Sequence, residues 1–140
     1  MKREVTLTID SVGRLLGVSY HDGYMTRFCL DGSLTFELCA IDDSLTELVM
    51  VGIELLCTDP LWEAAIVTDI DIWKAVAAPD VSWELLLEGR GGNGGVQKDI
   101  ERYLPRFADF WLVQVGTAYG GGFSCLCESI KVFQTLPGNA

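Results

Sequence analysis

The segment Tyr24-Met-Thr-Arg-Phe-Cys-Leu30, the tripeptide Asp31-Gly32-Ser33 and the segment Leu34-Thr-Phe-Glu-Leu-Cys-Ala40 decide the fold. Both longer runs alternate with period two, the spacing of a strand with two unlike faces. Tyr24, Thr26, Phe28 and Leu30 share one face, and Met25, Arg27 and Cys29 the other. Leu34, Phe36, Leu38 and Ala40 repeat the pattern. A three-residue loop pairs Leu30 with Leu34, Phe28 with Phe36 and Thr26 with Leu38. A two-residue loop would set Phe28 against Thr35 and oppose unlike faces, so the register selects three.

Outward from this hairpin the strand pattern continues. Leu45 to Leu56 is apolar on both faces near its middle, as a central strand is. Asp59-Pro60 breaks it, and Leu61 to Ala64 fits one helical turn. Ile66, Thr68, Ile70 and Ile72 alternate with Val67, Asp69, Asp71 and Trp73. Ser82 to Glu88 reads as a strand with Trp83, Leu85 and Leu87 on one face. Asp109 to Val115 and Phe123 to Gln134 supply the last strands, joined through Gly120-Gly-Gly122. Val96, Ile100, Tyr103, Leu104 and Phe107 instead recur at helical spacing, entered from a glycine-rich loop and stopped by Pro105. No repeat or linker divides the chain. The expectation is one domain over residues 1–140, mainly β: an antiparallel β-sandwich or barrel-like sheet with one short helix near 96–104.

Composition narrows the function classes. With 140 residues, 49% of them apolar, the chain can bury a core without a metal or disulfide staple. Its longest apolar run, Leu48 to Leu56, is interrupted by Glu54 and is too short to cross a bilayer, so no membrane partner is expected. Met1-Lys-Arg-Glu leads into polar alternation without the apolar core of a signal peptide. The cysteines at 29, 39, 57, 125 and 127 are odd in number, which favours free thiols in a reducing compartment. A cytoplasmic location is expected. The net charge of −10 is uneven: Asp31 to Glu88 holds 13 carboxylates against one base, Lys74. Such a field repels phosphate backbones and excludes nucleic acid as a partner. It suits a basic protein, or serves solubility.

Several motifs suggest chemistry and fall short of it. Glu88-Gly-Arg-Gly-Gly-Asn-Gly-Gly-Val-Gln-Lys98 lacks the Gly-Lys-Ser/Thr ending of a phosphate loop. Cys125-Leu-Cys127 sets two thiols on one strand face, but nothing in the spacing gathers the further ligands zinc requires. Asp69-Ile-Asp71 pairs two carboxylates on an exposed strand face. His21 is the only imidazole, with Asp22 beside it, and reads as a turn residue before the Tyr24 strand. The sequence therefore assigns no catalytic residue, no cofactor and no metal.

Ser19-Tyr20-His21-Asp22-Gly23 followed by an alternating strand resembles the opening of small bacterial β-rich domains that begin with an aromatic-His-Asp element. Ala118-Tyr119-Gly120 and Cys127-Glu128-Ser129-Ile130 resemble their polar-aromatic-Gly ending. These families are uncharacterised or immunity-protein-like members of toxin systems. The likeness spans Val18 to Val132, and Asp80 to Phe107 has no counterpart in it. It implies a small binding protein and supplies no catalytic residue.

The leading expectation is thus a non-enzymatic cytoplasmic protein that binds a macromolecule, a basic protein above all, or a second copy of itself. Its candidate binding residues are His21, Asp22, Glu37, Asp69, Asp71 and Tyr119. The alternative is a small-molecule or carbohydrate-binding β-sandwich with Trp62, Trp73, Trp83 and Trp111 as stacking groups. A carboxylate-based hydrolase comes third. Alternation also turns Glu37, Asp69, Asp71 and Glu84 away from the apolar face, toward a common acidic surface.

Overall fold

In the computed structural model, which describes residues 1–59, 65–87, 95–118 and 120–138, β1 (Lys2–Val5), β2 (Thr8–Ile9) and β3 (Leu15–Leu16) precede the hairpin. The hairpin is β4 (Tyr24–Asp31) and β5 (Ser33–Cys39). Then come β6 (Leu45–Thr58), β7 (Val67–Lys74), a 3-10 turn, α1 (Asp80–Leu86), α2 (Gly95–Phe107), β8 (Trp111–Thr117) and β9 (Gly122–Thr135). The protein is mainly β, and its pairings are antiparallel.

Leu30 faces Leu34 and Phe28 faces Phe36, the three-residue-loop register. The expected Thr26–Leu38 pair is corrected: a bulge lets Met25 face Leu38 and Arg27 face Glu37. The extra residue, Thr26, turns Met25 into the core in its place. A second bulge, between Val67 and Asp69, does the same on β7, so that Val67 joins Ile70 and Ile72 inside.

Seven strands form one sheet in the order β4-β5-β6-β9-β8-β7, with β1 also paired to β9. β4 and β9 stand three positions apart, which in a flat sheet is about 14 Å at ~4.8 Å per strand. Yet the Phe28 and Phe123 rings lie 5.2 Å apart, and Phe123 is 5.3 Å from Phe36. The sheet is therefore curled, with these aromatics meeting across its interior. Its two edges are tied at one end. Asp22 N donates to Val67 O, Val67 N to Gly23 O and Met25 N to Ala65 O, around a Tyr24–Ile66 bridge. The form is barrel-like without continuous closure.

The interior holds Leu34, Phe36, Leu38, Leu48, Met50, Ile70, Ile72 and Val113, all essentially without solvent contact. Each contributes roughly 1.5–3 kcal/mol on burial. The outer face of β6, β8 and β9 carries a second apolar layer, where Leu55, Leu112 and Leu126 meet Trp83, Leu86, Leu87, Ile100 and Phe107.

The expected strand over Ser82 to Glu88 is corrected: Asp80–Leu86 is helix. Trp83, Leu86 and Leu87 fit one helical face as well as Trp83, Leu85 and Leu87 fit a strand. Pro79 at the N-cap and Asp80 in the first turn are helix-start chemistry. Two α-helices thus replace the single expected one, and the second runs through Pro105 to Phe107 rather than stopping before it. The Leu61–Ala64 turn lies outside the described residues.

β6 and β9, each 14 residues long, are the longest strands, and they coil together. Inward positions on β6 step from Met50 to Ile53 and on β9 from Cys127 to Ile130, three residues instead of two. Gly52, at φ 71°, occupies this step, and a Cβ there would stand 2.7 Å from the Glu128 Cβ. Gly32 in the hairpin loop has φ 74° but nothing within 4 Å of its Cβ position. Gly32→Ala therefore meets only the left-handed backbone cost of about 1 kcal/mol, whereas Gly52→Ala adds a clash and should cost about 2–3 kcal/mol. Urea unfolding of the two variants checks the difference.

The β5–β6 loop adds a pH dependence. Asp42 accepts from the Ser44 hydroxyl and backbone N–H, and these bonds hold its carboxyl below the usual range. A lowered folded-state pKa stabilises above the ordinary carboxylate value, near 4, and the gain is lost as pH falls through the lowered one. Asp42→Asn should flatten the acid limb of stability below about pH 4, as thermal melts across pH would read.

Candidate functional site

Tyr20, His21, Asp22 and Gly23 form a turn closed by Gly23 N donating to Tyr20 O. Asp22 takes φ 63°, the left-handed position that Asp tolerates better than most residues. The His21 ring reaches β7 rather than local backbone, with Nδ1 3.0 Å from Thr68 O. A carbonyl can only accept, so Nδ1 carries the proton. Nε2 stands 3.6 Å from the Asp22 carboxylate, with both side chains solvent-exposed. The pair fastens the turn to β7.

Beside it, Arg14 spans both acids of β7. Its Nε lies 2.8 Å from Asp71 and its terminal nitrogen 3.2 Å from Asp69. The Asp71 hydrogen bond and charge push the guanidinium pKa up further. Asp10 accepts from the Val12 and Arg14 N–H groups and shapes the loop that delivers this arginine. Gly13 packs against the Trp73 indole, whose Nε1 donates to Val12 O.

The outer face continues from β7 into a cleft of about 240 Å³. Two cross-strand rows build its floor. Asp71, Gln114, Ser124 and Cys57 are successive partners on β7, β8, β9 and β6, and the last three of them line the cleft. In the next row Asp69 faces Gly116 and Gly116 faces Gly122, whose carbonyl accepts from Asp59 N. Leu85 of α1 forms an apolar wall. Ser124 is only 6% exposed, yet neither its hydroxyl nor the Gln114 amide bonds another described residue. The N–H groups of Asp59, Thr117 and Gly120 are already spent on Gly122, Gly121 and Thr117 carbonyls. The carboxylates of Asp59 and Asp69, with a Gln114 amide and a Ser124 hydroxyl that can each donate or accept, are the polar groups the cleft presents.

The structure thus gathers His21, Asp22, Asp69 and Asp71 at one end of β7. Glu37 and Glu84 depart from the expected common surface. Glu37 sits on β5, accepting from Thr26, and Glu84 projects from α1. Tyr119 and Trp62 lie outside the described residues. Of the other tryptophans, Trp83 is buried, while Trp73, packed on Gly13, and Trp111, 4.3 Å from Lys74, are half-buried and line a separate groove. Sequence reasoning missed Arg14, Asp59, Gln114 and Ser124. The separation of 57 residues between Arg14 and Asp71 leaves no local signal.

Among the described residues no three His, Cys, Asp or Glu side chains gather to hold a metal, and no helix is long and apolar enough to span a membrane. Comparison with protein-family models, curated proteins and solved structures finds no match.

Two outcomes follow from these placements. His21→Ala removes the bond to Thr68 and should lower stability by about 0.5–1.5 kcal/mol in thermal melts. Cys39, Cys125 and Cys127 are buried, Cys29 and Cys57 half-buried. Hydrogen bonding to Cys127, then burial, keeps Cys125 protonated. Iodoacetamide should therefore modify Cys29 and Cys57 first in the native protein, and the other three only on unfolding, as peptide mass spectrometry would resolve.

Proposed function

We propose that the protein is a non-enzymatic binding protein that receives a basic macromolecule on its acidic surface, in the manner of an immunity-type protein. The observation that carries this reading is the imbalance in the cleft. Asp59 and Asp69 line it and Asp71 stands beside them, three carboxylates against one guanidinium, Arg14. A partner rich in cationic donors satisfies such a surface, and an anionic one is repelled by it. The cleft is also smaller than the ~300–1,000 Å³ of ordinary small-molecule sites. The carbohydrate-stacking reading keeps only the separate groove of about 450 Å³ lined by the half-buried Trp73 and Trp111, away from the acidic cleft. Five unbridged cysteines support a reducing, cytoplasmic setting.

Opposed fields act mainly on encounter. The association rate with a cationic peptide of mixed arginine and lysine should fall about tenfold or more as salt rises from about 20 to about 200 mM, with dissociation changing less. Asp59→Lys should slow association further. Surface-plasmon kinetics on the full chain reads both. Binding indifferent to salt and to charge reversal would overturn the proposal.

A further inference from the structure

We infer that the cleft between α1 and the β8–β9 end of the sheet is a subsite for a single guanidinium group, presented by an arginine side chain of the basic partner. This rests on the reading above and narrows it to one chemistry.

Size sets the first limit, because about 240 Å³ admits a side chain rather than a folded surface or an oligosaccharide. The distribution of acceptors sets the second. Asp69 on β7 and Asp59 after β6 flank the floor, with Gln114 and Ser124 between them on β8 and β9. Acceptors spread over four strands match the five N–H donors of a planar fork better than the three of a compact ammonium. Ser124 is the most telling of them. Its side chain is more than nine-tenths buried, lines the cleft and lacks a partner among the described residues. Its hydroxyl can accept from a donor that enters the cleft. Leu85, 40% exposed, offers an apolar wall for the arginine stem. Arg14 already shows how this rim holds a guanidinium, bridging Asp69 and Asp71.

The test uses the full chain and two capped peptides of equal length and charge, one carrying arginines and one lysines, with free arginine as a third probe. The arginine peptide should bind about tenfold more tightly than the lysine peptide. It should shift the amide resonances of Gly116 and Ser124 and slow alkylation of Cys57, which lines the same cleft. Free arginine should do both at higher concentration, since the subsite itself recognises the group. Asp59→Asn should cut arginine-peptide affinity about fivefold or more. Gly116→Ala should do likewise while melting no lower than the parent, because its Cβ would stand 3.5 Å from Thr68 Oγ1, an ordinary contact. Equal affinity for the two peptides, or shifts confined to other surfaces, would overturn the guanidinium subsite. The basic-partner reading would survive that result if binding stayed salt-dependent. Absence of binding by either peptide at low salt would overturn both.

Discussion

The pairing of β6 with β9 is the constraint on which the rest depends. Two antiparallel strands of 14 residues accumulate more twist than a flat sheet can hold. They relieve it together at one step, where Gly52 lies against Glu128 and both strands exchange inner for outer faces. On one side of the step β9 takes β1 as its second neighbour, and on the other it takes β8. The two halves consequently point in different directions. One half continues through β5 to β4, and the other through β8 to β7. That divergence lets Phe28 reach Phe123 and brings the turn before β4 to the backbone of β7.

Local periodicity carried the reading wherever the local rule and the tertiary demand agree. Leu30 against Leu34 and Phe28 against Phe36 follow from alternation and loop length alone. Thr26 and Thr68 break that rule through bulges, which answer to curl rather than to residue pattern. At Trp83 the sequence is ambiguous in a different way. A short apolar run satisfies periods of 2 and 3.6 alike, and only Pro79-Asp80 separates them. For the site, the Asp69–Asp71 pair was legible because strand geometry fixes it. The guanidinium that bridges the pair, and the rows that put Gln114 beside Ser124, depend on contacts distant in sequence.

The density of acid in the middle of the chain does not become one uniform face. Glu47 is held at 2.9 Å by Lys2, Glu37 accepts from Thr26, and Asp42 is tied into its own loop. Arg14 offsets one charge of the Asp69–Asp71 pair. An exposed ion pair such as Arg14–Asp69 contributes little to stability, roughly 0–1 kcal/mol. Its effect is positional. Arg14 fixes the carboxylate of Asp69 at the edge of the cleft while the loop behind it covers Trp73.

Two glycines on the cleft floor differ in why they are there. At Gly122 a Cβ would stand 2.1 Å from the Val115 carbonyl, so backbone packing alone demands glycine. Gly116 meets no such demand, because its Cβ would make only ordinary contacts, the Asp69 carboxylate among them at 3.6 Å. Glycine inside a strand weakens it by roughly 0.5–1 kcal/mol relative to alanine. Structure therefore favours a side chain at 116, and what glycine preserves instead is the open space beside Asp69.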